Sequence, residues 1–466
     1  KHLKDIMGKV ARITIDDNRF LFIESHPDNL KNIKKEFTFP DFSECWERGK
    51  FHKEKIKQIS FLTIGENNIS GLLPIGFRGD LEKWLDKNDF VYKTVDKRIN
   101  ETYNFTEKEI AENLGYLTLD SDQIQAVKTC LEQGNGLVSA ATGAGKTEIF
   151  ISLCNLTKKK TLVLFSSIQL AKQTLVRMKN AGLDSGIVQG GNVDENHQVV
   201  MATVQSSHKL YRNDYEMVII DETHKATGEQ YQDVLKRMNC RYRFGFSATP
   251  FTKKDHLRDA RTKAFLGDVI YKLGAATLIE KKRLADPTIH IVTINKPFGF
   301  EDAKWIVAER RGIIYNKYRN QKIADIANSV NGSCLILLKN IAHGEELCKL
   351  IPDAIFLHGS VEVKEREKIT ARFEAGEKFT LIASTIFDEG IDIKSVMNVI
   401  IAGGGQSPIK AVQRVGRGLR TTATKKTVEI YDFYDQTNVI LEKHSIERIH
   451  LYEEEGFKKI VYEKVK

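Results

Sequence analysis

The sequence predicts an α/β protein with two tandem parallel-sheet domains and a small α+β domain in front of them. From about residue 117 onward, short apolar runs alternate with polar, helix-compatible segments. Such runs are typical of strands buried on both faces, as in parallel sheets whose connections are helices. The alternation occurs in two successive series, which predicts two such domains. The first hundred residues lack this alternation, and this sets them apart.

The two series have similar lengths. The first, in residues 113–285, contains GLVSAA, TLVLFS, QVVMAT, MVIID and RFGFSAT. The second, in residues 286–436, contains HIVTI, CLILLK, AIFLHG, FTLIAS, NVIIAG and VEIYDF. We place the boundary between them at Asp286-Pro287, a dipeptide that favours a turn. Residues 437–466 are charged and largely helical in character, which predicts a C-terminal helical extension that packs on the second domain or projects from it.

Residues 1–112 are predicted to form the small α+β domain. The runs ARITIDD, FLFIES and ISFLTIG are typical of strands, and RGDLEKWLDKND of an amphipathic helix. A basic stretch, ERGKFHKEKIKQ, has Trp46 and Phe51 close by. Basic residues among aromatic ones suit phosphate contact and base stacking at an unpaired junction. A solvated loop beside a small core explains the same composition, so the residues alone leave both interpretations open.

The composition favours a polyanionic partner and a cytoplasmic protein. The formal net charge is +9. No apolar stretch approaches the roughly 20 residues that span a bilayer, and the N-terminus lacks the apolar core of a secretory signal. The six cysteines are scattered without a Cys-x-x-Cys pair, and the twelve histidines show no ligand spacing. We therefore expect reduced cysteines and no metal held by protein side chains alone.

A phosphate-binding loop is predicted at SAATGAGKTEIF, between an apolar run and a helix-compatible segment. Small residues let successive backbone N–H groups surround phosphate oxygens, and the N-terminus of the helix favours an anion. Lys146 can reach the β- and γ-phosphates, and Thr147 can bind Mg²⁺. Ala140 replaces the first Gly of the general Walker pattern, but the variant A-x-T-G-x-G-K-T is matched in full. The loop consists of Thr142, Gly143, Ala144, Gly145, Lys146 and Thr147.

Two carboxylates are adjacent at the end of an apolar run: Asp221 ends MVIID, and Glu222 follows it directly. Like charges on neighbouring residues repel, although acidic residues at strand ends are also common as helix caps. The phosphate loop suggests a function for the pair, because an Asp at a strand end holds the Mg²⁺ of P-loop ATPases. The metal makes the crowding of negative charge tolerable, and Glu222 can accept the proton of the attacking water. We therefore predict ATP and Mg²⁺ as cofactors.

Further polar segments follow in a fixed order. LDSDQIQAV places Gln123 about twenty residues ahead of the phosphate loop, and FGFSATP places Ser247, Ala248 and Thr249 after the next apolar run. Late in the second domain, QRVGRGLR carries three arginines at a spacing of three, which allows them to share one helix face. Three arginines on a solvated face are common. In the domain opposite the phosphate loop, however, we interpret them as arginine fingers, which stabilise charge on a transferred phosphoryl group.

This ordered set resembles superfamily 2 helicases, whose motor consists of two RecA-like domains. Gln123 matches the Q motif, AATGAGKT motif I, DETH motif II and SAT motif III, while TIFDEGIDI and QRVGRGLR match motifs V and VI. The resemblance covers residues from about 117 to 436. It implies that ATP binds between the two domains and that Gln123 reads the adenine. The aromatic residue that stacks on the adenine stays open among Tyr103, Phe105 and Tyr116.

The resemblance also implies roles for individual residues. The ATPase core is Lys146, Thr147, Asp221 and Glu222. Hydrolysis would be coupled to movement by His224, Ser247, Ala248 and Thr249. Residues near the nucleotide and the strand would be Asp388, Gly390 and Asp392, and those reaching the γ-phosphate would be Gln413, Arg417 and Arg420, with Arg414 left out.

Nucleic-acid contacts are predicted at residues that follow strands. They would grip phosphates, which is mostly sequence-independent and sensitive to salt. Each position could equally be a helix cap or a strand end. The residues are Ser166, Ser167, Thr203, Gln205, Lys339 and Thr385.

A narrower likeness is to phage branch-migration helicases of the UvsW type. It rests on GLLPIGFRGDLEKWL, LLKNIAHGEEL and HSIERIHLYEEEGF. This resemblance implies that the substrate is branched DNA, such as forks and Holliday junctions. It also implies a role in recombination, repair or replication, with proteins of those processes as partners, and the host cytoplasm as the location. It also favours substrate recognition by residues 1–112, so we expect the motor from about residue 113 to suffice for ATP hydrolysis.

Several alternatives stay open. The motifs also fit an RNA helicase of the DExH type, because contacts to a 2′-OH cannot be read from the sequence. A duplex-DNA translocase without strand separation is a third possibility. The intact Lys146, Asp221, Glu222 and Arg417 argue against a binding protein without activity, and the second parallel-sheet domain disfavours a P-loop kinase.

Overall fold

The computed structural model describes residues 8–47, 50–99, 101–141, 143–190, 193–211, 214–225, 228–251, 255–283, 286–295, 299–384, 396–405, 427–454 and 457–463. The chain forms two compact units. The first comprises Lys1–Ala140 and Gly145–Lys272, and the second Ala141–Ala144 and Leu273–Lys466. Within the described part of the chain, no helix is both long enough and apolar enough to cross a bilayer.

The N-terminal part of the first unit contains a five-stranded sheet and a separate hairpin. Its elements are β1 Val10–Ile15, β2 Phe20–Ser25, α1 Pro27–Glu36, β3 Thr38–Glu47, β4 Lys50–Ser60, β5 Thr63–Ile64, β6 Ser70–Pro74, α2 Arg78–Lys87 and β7 Val91–Asp96. The sheet has the order β5-β6-β2-β1-β7, with β1 antiparallel to β2 and parallel to β7. Strands β3 and β4 form an antiparallel hairpin with a register from Thr38↔Ser60 to Glu47↔Lys50. The basic stretch that the sequence singled out therefore lies at the far end of this hairpin and along β4.

The rest of the first unit is a parallel sheet covered by helices. Its elements are α3 Glu107–Glu112, α4 Ser121–Gln133, β8 Asn135–Ala140, α5 Lys146–Thr157, β9 Thr161–Phe165, α6 Ile168–Asn180, β10 Ser185–Val188, β11 Val199–Thr203, β12 Met217–Asp221, α7 Glu229–Arg237, β13 Tyr242–Ser247, α8 His256–Leu266 and β14 Val269–Leu273. The strand order is β10-β11-β9-β12-β13-β8-β14. Strand β9 is buried along its whole length, as expected for a strand covered on both faces.

The second unit contains a second seven-stranded sheet. Its elements are α9 Ala275–Glu280, β15 Asp286–Ile294, α10 Trp305–Ala308, α11 Lys317–Ser329, β16 Cys334–Leu337, α12 Ile341–Leu350, β17 Ile355–Leu357, α13 Val363–Glu374, β18 Thr380–Ala383, β19 Asn398–Ile401, β20 Thr427–Asp435, α14 Val439–Glu454 and β21 Lys459–Glu463. The order is β17-β18-β16-β19-β20-β15-β21. A π-helix, Glu309–Ile314, continues α10. The two parallel sheets and the small N-terminal sheet confirm the predicted fold class.

The C-terminal extension is integrated into the second unit. Helix α14 buries Leu441 and Tyr452. Strand β21 then pairs in parallel with β15, from Thr288↔Lys459 to Val292↔Glu463. Of the two placements that the sequence left open, the structure shows the packed one.

The N-terminal sheet shares a hydrophobic core with the first parallel-sheet domain. Buried side chains form one continuous cluster that runs from Ile13 and Leu81 to Phe265. Phe20 meets Phe265 edge to face at 5.7 Å, and Lys263 of α8 lies 2.6 Å from Asp80 of α2. Removing the N-terminal sheet would therefore expose apolar side chains of α8 to water.

Gly76 permits the closest approach in this shared core. It lies just before α2, and a Cβ there would be 1.9 Å from the carbonyl oxygen of Lys263 and 2.8 Å from the Gly267 nitrogen. Both of these are backbone atoms, which cannot rotate away as a side chain could. Only a residue without a Cβ fits between the two layers.

We predict that Gly76→Ala destabilises the first unit. The added methyl group forces α8 and α2 apart, and overpacking of this kind costs about 1–3 kcal/mol. Urea unfolding measures the change. Gly79→Ala is the control, because a Cβ there would have only Asp268 Oδ2 within 4 Å, at an ordinary contact distance of 3.5 Å. Equal unfolding midpoints for the two variants would contradict the tight contact.

Candidate nucleotide and nucleic-acid sites

Three neighbouring strands bring the predicted ATPase segments to one edge of the first parallel sheet. The order β12-β13-β8 places the ends of these strands side by side. In register, Asp221 is opposite Phe246, and Ser247 is opposite Ser139. Because parallel strands end at the same edge, the segments that follow them lie together.

The phosphate loop leads from β8 into α5, which begins at Lys146. Gly143 and Gly145 have φ values of 89° and 79°, a left-handed conformation that glycine adopts without strain. At Gly145 a Cβ would also lie 2.0 Å from Nε2 of Gln123. Both the backbone conformation and the close Gln123 side chain therefore require glycine at position 145. The N-terminus of a helix follows the loop directly, which favours anion binding.

Lys146 lies close to the predicted general base. Its Nζ is 3.7 Å from Oε1 of Glu222 and 3.4 Å from the carbonyl oxygen of Ala140. Glu222 has a φ of 55°, and its backbone N–H donates to Oδ1 of Asp221 at 3.0 Å. A left-handed conformation in a residue other than glycine costs about 1–3 kcal/mol and is concentrated at functional sites. The turn thus holds the Glu222 carboxylate next to the lysine at a cost in stability, and Asp221 accepts a hydrogen bond from the backbone of the same turn.

The residues present fit a magnesium–nucleotide complex. Asp221 supplies a carboxylate and Thr147 a hydroxyl group, and Mg²⁺ prefers oxygen ligands combined with substrate phosphates. Within the described residues, no group of three or more His, Cys, Asp or Glu side chains could hold a metal alone. In sites that Mg²⁺ shares with a nucleotide, substrate phosphates and water usually supply the remaining ligands.

His224 joins the segments that follow β12 and β13. It is buried, and its Nδ1 lies 3.2 Å from Oε2 of Glu222 and 3.1 Å from Oγ of Ser247. The same Oγ accepts the backbone N–H of Thr249 at 3.2 Å. Ser139 of β8 donates to the carbonyl oxygen of Ala248 at 3.3 Å. His224 therefore connects Glu222 to the Ser247–Thr249 segment, and the coupling role of these residues stays a prediction.

Gln123 is buried beside the phosphate loop. It is the third residue of α4, and its Oε1 accepts the backbone N–H of Asp120 at 3.0 Å, while Asp120 caps the helix in return. The helix cap therefore orients the side chain, and Gly145 lies against its amide group. The role of Gln123 toward adenine stays a prediction.

The structure separates the three aromatic candidates for adenine stacking. Tyr103 stacks on Phe105 at 5.7 Å and lies 5.9 Å from Tyr242, the first residue of β13 and thus at the opposite edge of the sheet. Burial and a hydrogen bond with Tyr242 raise the pKa of the Tyr103 hydroxyl. Tyr116, in contrast, is 41% exposed.

Tyr116 also lies on the side of the phosphate loop. Burial of its hydroxyl and the nearby charge of Glu148 raise its pKa. Glu148 belongs to the first turn of α5 and accepts from Arg177 at 3.0 Å. Of the three aromatic candidates, only Tyr116 is tied by these interactions to the helix that starts at Lys146.

The predicted nucleic-acid contacts follow strands, but two of them serve as caps. Ser167 accepts the backbone N–H of Leu170 at 3.4 Å, and Thr203 accepts that of Ser206 at 3.3 Å. Gln205 and Lys339 are exposed. Ser166 is partly buried at the end of β9. Phosphate contact by these residues stays a prediction.

Several predicted site residues lie outside the described residues. They are Thr142, Thr385, Asp388, Gly390, Asp392, Gln413, Arg414, Arg417 and Arg420.

Two buried arginines that the sequence analysis missed hold the chain just ahead of the QRVGRGLR segment. Arg319 pairs with Asp435 at 2.8 Å and donates to the carbonyl oxygen of Ala402 at 2.7 Å. Arg448 pairs with Asp432 at 2.9 Å and donates to the carbonyl oxygen of Gly405 at 3.1 Å. Nothing in the helical patterns around these arginines distinguishes them from solvated ones.

Comparison with known proteins confirms the resemblance that the motifs indicated. Two family models match, a type III restriction enzyme res subunit over residues 116–252 and a helicase conserved C-terminal domain over residues 318–422. Together with two parallel-sheet domains and a phosphate loop that precedes paired carboxylates, these matches show that the chain is similar to superfamily 2 helicases.

Its relatives include phage and archaeal motors. The ATP-dependent DNA helicase uvsW of Enterobacteria phage T4 is 25% identical over 444 residues, which cover 83% of this chain and 87% of the phage protein. The DNA 3'-5' translocase XPB2 of Sulfurisphaera tokodaii is 24% identical, over 72% of this chain and 89% of its own. A putative HsdR subunit fragment of a type I restriction enzyme from Vibrio vulnificus YJ016 shares the fold. It has a TM-score of 0.56 and 15% identity, over 95% of this chain and 98% of its own.

We predict that Glu222→Gln lowers the ATPase turnover by at least about a hundredfold, as expected for loss of a general base. ATP binding should persist, because Lys146 and the loop are intact. Steady-state hydrolysis and binding of a fluorescent ATP analogue measure the two effects. Glu229→Gln, at an exposed position on α7, is the control. Near-normal turnover in Glu222→Gln would contradict the assignment of the base.

We predict that Tyr116→Ala raises the KM for ATP by about tenfold, because base–aromatic stacking contributes about 1–3 kcal/mol. Tyr116→Phe should keep the wild-type value, since the ring suffices for stacking. Tyr103→Ala tests the alternative at the opposite edge of the sheet. A KM change in Tyr103→Ala alone would reverse the assignment.

Proposed function

We propose that this protein is an ATP-dependent DNA helicase or translocase that unwinds or branch-migrates forks and Holliday junctions. The observation that carries the enzymatic part is the cluster at one edge of the first parallel sheet. There the Glu222 carboxylate lies 3.7 Å from Lys146 and 3.2 Å from His224, and the backbone N–H of Glu222 donates to Asp221 at 3.0 Å. A protein that only binds nucleic acid has no use for a strained turn that holds a carboxylate beside the lysine of a phosphate loop.

The proposed hydrolysis assigns one task to each group. Lys146 and the loop N–H groups would bind the β- and γ-phosphates, and Asp221 with Thr147 would hold Mg²⁺, which would neutralise phosphate charge. Glu222 accepts the proton of the attacking water. His224, which contacts both Glu222 and Ser247, is proposed to couple hydrolysis to the Ser247–Thr249 segment after the neighbouring strand. Arg417 and Arg420 are proposed to stabilise the transition state.

DNA is the proposed substrate because two relatives carry DNA in their names, a DNA helicase and a DNA translocase. An RNA helicase of the DExH type is the second candidate, since phosphate contacts do not distinguish the two nucleic acids. ATPase stimulation by matched DNA and RNA strands, with and without a duplex branch, decides between them. Stimulation by RNA alone would overturn the DNA assignment.

The proposed reader of the branch is the β3–β4 hairpin. Its register places Trp46 opposite Phe51, and the alternate positions Lys53, Lys55 and Lys57 lie along β4. An antiparallel hairpin outside the five-stranded sheet presents both aromatic and basic positions on one extended element. Such a composition suits unpaired bases and phosphates at a junction.

We predict that replacing residues 42–56 by a two-residue turn keeps ATPase activity but removes the preference for forks and Holliday junctions over single strands. The replacement leaves the shared core intact, unlike deletion of residues 1–112, which exposes α8. Charge reversal at Lys53, Lys55 and Lys57 should weaken junction binding more mildly and give it a shallower salt dependence. Competition binding across a salt series measures both effects. An unchanged junction preference would mean that the two parallel-sheet domains read the branch.

A further inference from the structure

A stripe of exposed apolar, aromatic and basic side chains runs along α10 and the π-helix of the second unit. Ile306 is 58% exposed, Val307 42% and Tyr315 45%, and Arg310 and Arg311 are exposed as well. These five residues define what we call the 306–315 stripe. Large apolar side chains that cluster at the surface mark an interaction site more often than isolated ones do.

The π-helix explains why the stripe is continuous. Exposed positions recur after four or five residues, at 306–307, 310–311 and 315, whereas Ala308 and Gly312–Ile314 are buried. The backbone N–H of Tyr315 bonds to the carbonyl oxygen of Arg310, five residues back, at 2.9 Å. In an α-helix, Arg310 and Tyr315, five residues apart, would lie on different faces, but the wider π turn brings them onto the same face. Such short π segments often occur at functional sites.

The buried side of the π-helix holds the stripe in place. A Cβ at Gly312 would be 2.4 Å from a methyl carbon of Leu441 in α14. Ile313 packs against Gly404, where a Cβ would be 2.9 Å from its side chain. The segment that carries the stripe is therefore held in place by its packing against α14 and against the chain that follows β19.

The basic residues of the stripe lack carboxylate partners. Within the described part of the second unit, neither Arg310 nor Arg311 forms an ion pair, and neither does the adjacent Lys317. Arg310 lies instead over the ring of Tyr315, 5.6 Å from its centroid. Exposed arginines elsewhere, such as Arg12 and Arg372, are paired with Glu24 and Glu377. The stripe thus presents two arginines that form no ion pair with any carboxylate among the described residues.

The 306–315 stripe lies next to Lys339, one of the predicted nucleic-acid contacts that follow strands of the second sheet. The π-helix follows β15, and α12, which follows β16, packs against it. Lys339, in the turn before α12, acts electrostatically on Glu309 of the π-helix, whose pKa is raised by burial. Ile341, the first residue of α12, is 41% exposed. Lys339 and the stripe therefore border on each other at this edge.

We propose that the 306–315 stripe binds an unpaired nucleic-acid strand, with the arginines on phosphates and with Tyr315, Ile306 and Val307 against base faces. Aromatic and apolar side chains among unneutralised arginines match a strand whose bases are exposed, whereas duplex DNA hides its base faces. The inference rests on the proposed function, because it assigns part of the strand contact to a surface outside the helicase motifs.

The test measures binding of a fluorescent oligo-dT and of a blunt duplex by anisotropy across a salt series. Arg310→Glu with Arg311→Glu should weaken oligo-dT binding by more than about tenfold. The logarithmic salt slope should become shallower by about 1.4, since each lost single-strand phosphate contact removes about 0.7. Tyr315→Ala should cost about tenfold, and Tyr315→Phe should bind like the wild type, because the ring carries the stacking. Duplex binding should change by less than about threefold.

A matched control reverses two exposed lysines of α13, Lys364→Glu with Lys368→Glu. ATP hydrolysis without nucleic acid should stay normal in every variant, which shows that each one is folded. Oligo-dT binding equal to that of the control would overturn the proposal, and so would a loss confined to the duplex. Failure of the proposed function itself is distinguishable, because the wild type would then bind neither oligo-dT nor duplex.

Discussion

Burial of both faces of the two parallel sheets is the constraint on which the rest of this structure depends. A strand such as β9 or β12 has apolar side chains above and below, and its backbone groups are used by neighbouring strands. Polar functional side chains can therefore be placed only where a strand ends and the chain reaches the edge of the sheet. The carboxylates after β12, the serine at the end of β13 and the lysine after β16 all follow from this rule. Strand order then decides which of these groups meet.

In the described part of the second unit, the two arginines buried in the core are each paired with a carboxylate. Burial opposes ionisation of Arg448, yet the carboxylate of Asp432 raises its pKa above the usual range, so the guanidinium stays charged. Tyr452 donates a further hydrogen bond to Asp432 at 2.9 Å. A buried ion pair adds little net stability, because desolvation offsets the attraction, but losing one partner is costly. The pair therefore selects one geometry for the Gly405 carbonyl group and makes α14 a necessary part of this unit.

Much of the first site could be predicted because its signals are local. Strand alternation, the run of small residues before Lys146 and the adjacent carboxylates are each contained in a dozen residues. The shared core was not predictable, because Gly76 and the Lys263 carbonyl group are far apart in sequence and a glycine before a helix has many explanations. Arg319, Arg448 and the 306–315 stripe escaped for a related reason. Burial and unusual helix periodicity decide their roles, and neither leaves a pattern distinct from that of an ordinary amphipathic helix. Ser167 and Thr203 show the opposite difficulty, because these residues at predicted nucleic-acid contacts also accept hydrogen bonds from nearby backbone N–H groups.

The seat of the N-terminal sheet has a mechanical consequence. The base of the β3–β4 hairpin lies on α8, where Arg261 is 3.9 Å from Asp41, and Phe39 packs against Phe61 at 5.8 Å. Interlocked side chains and a backbone contact at Gly76 leave no slack at this joint. A displacement at Phe39 or Asp41, in the part of β3 that lies on α8, would therefore be transmitted to α8 and to the parallel sheet that α8 covers.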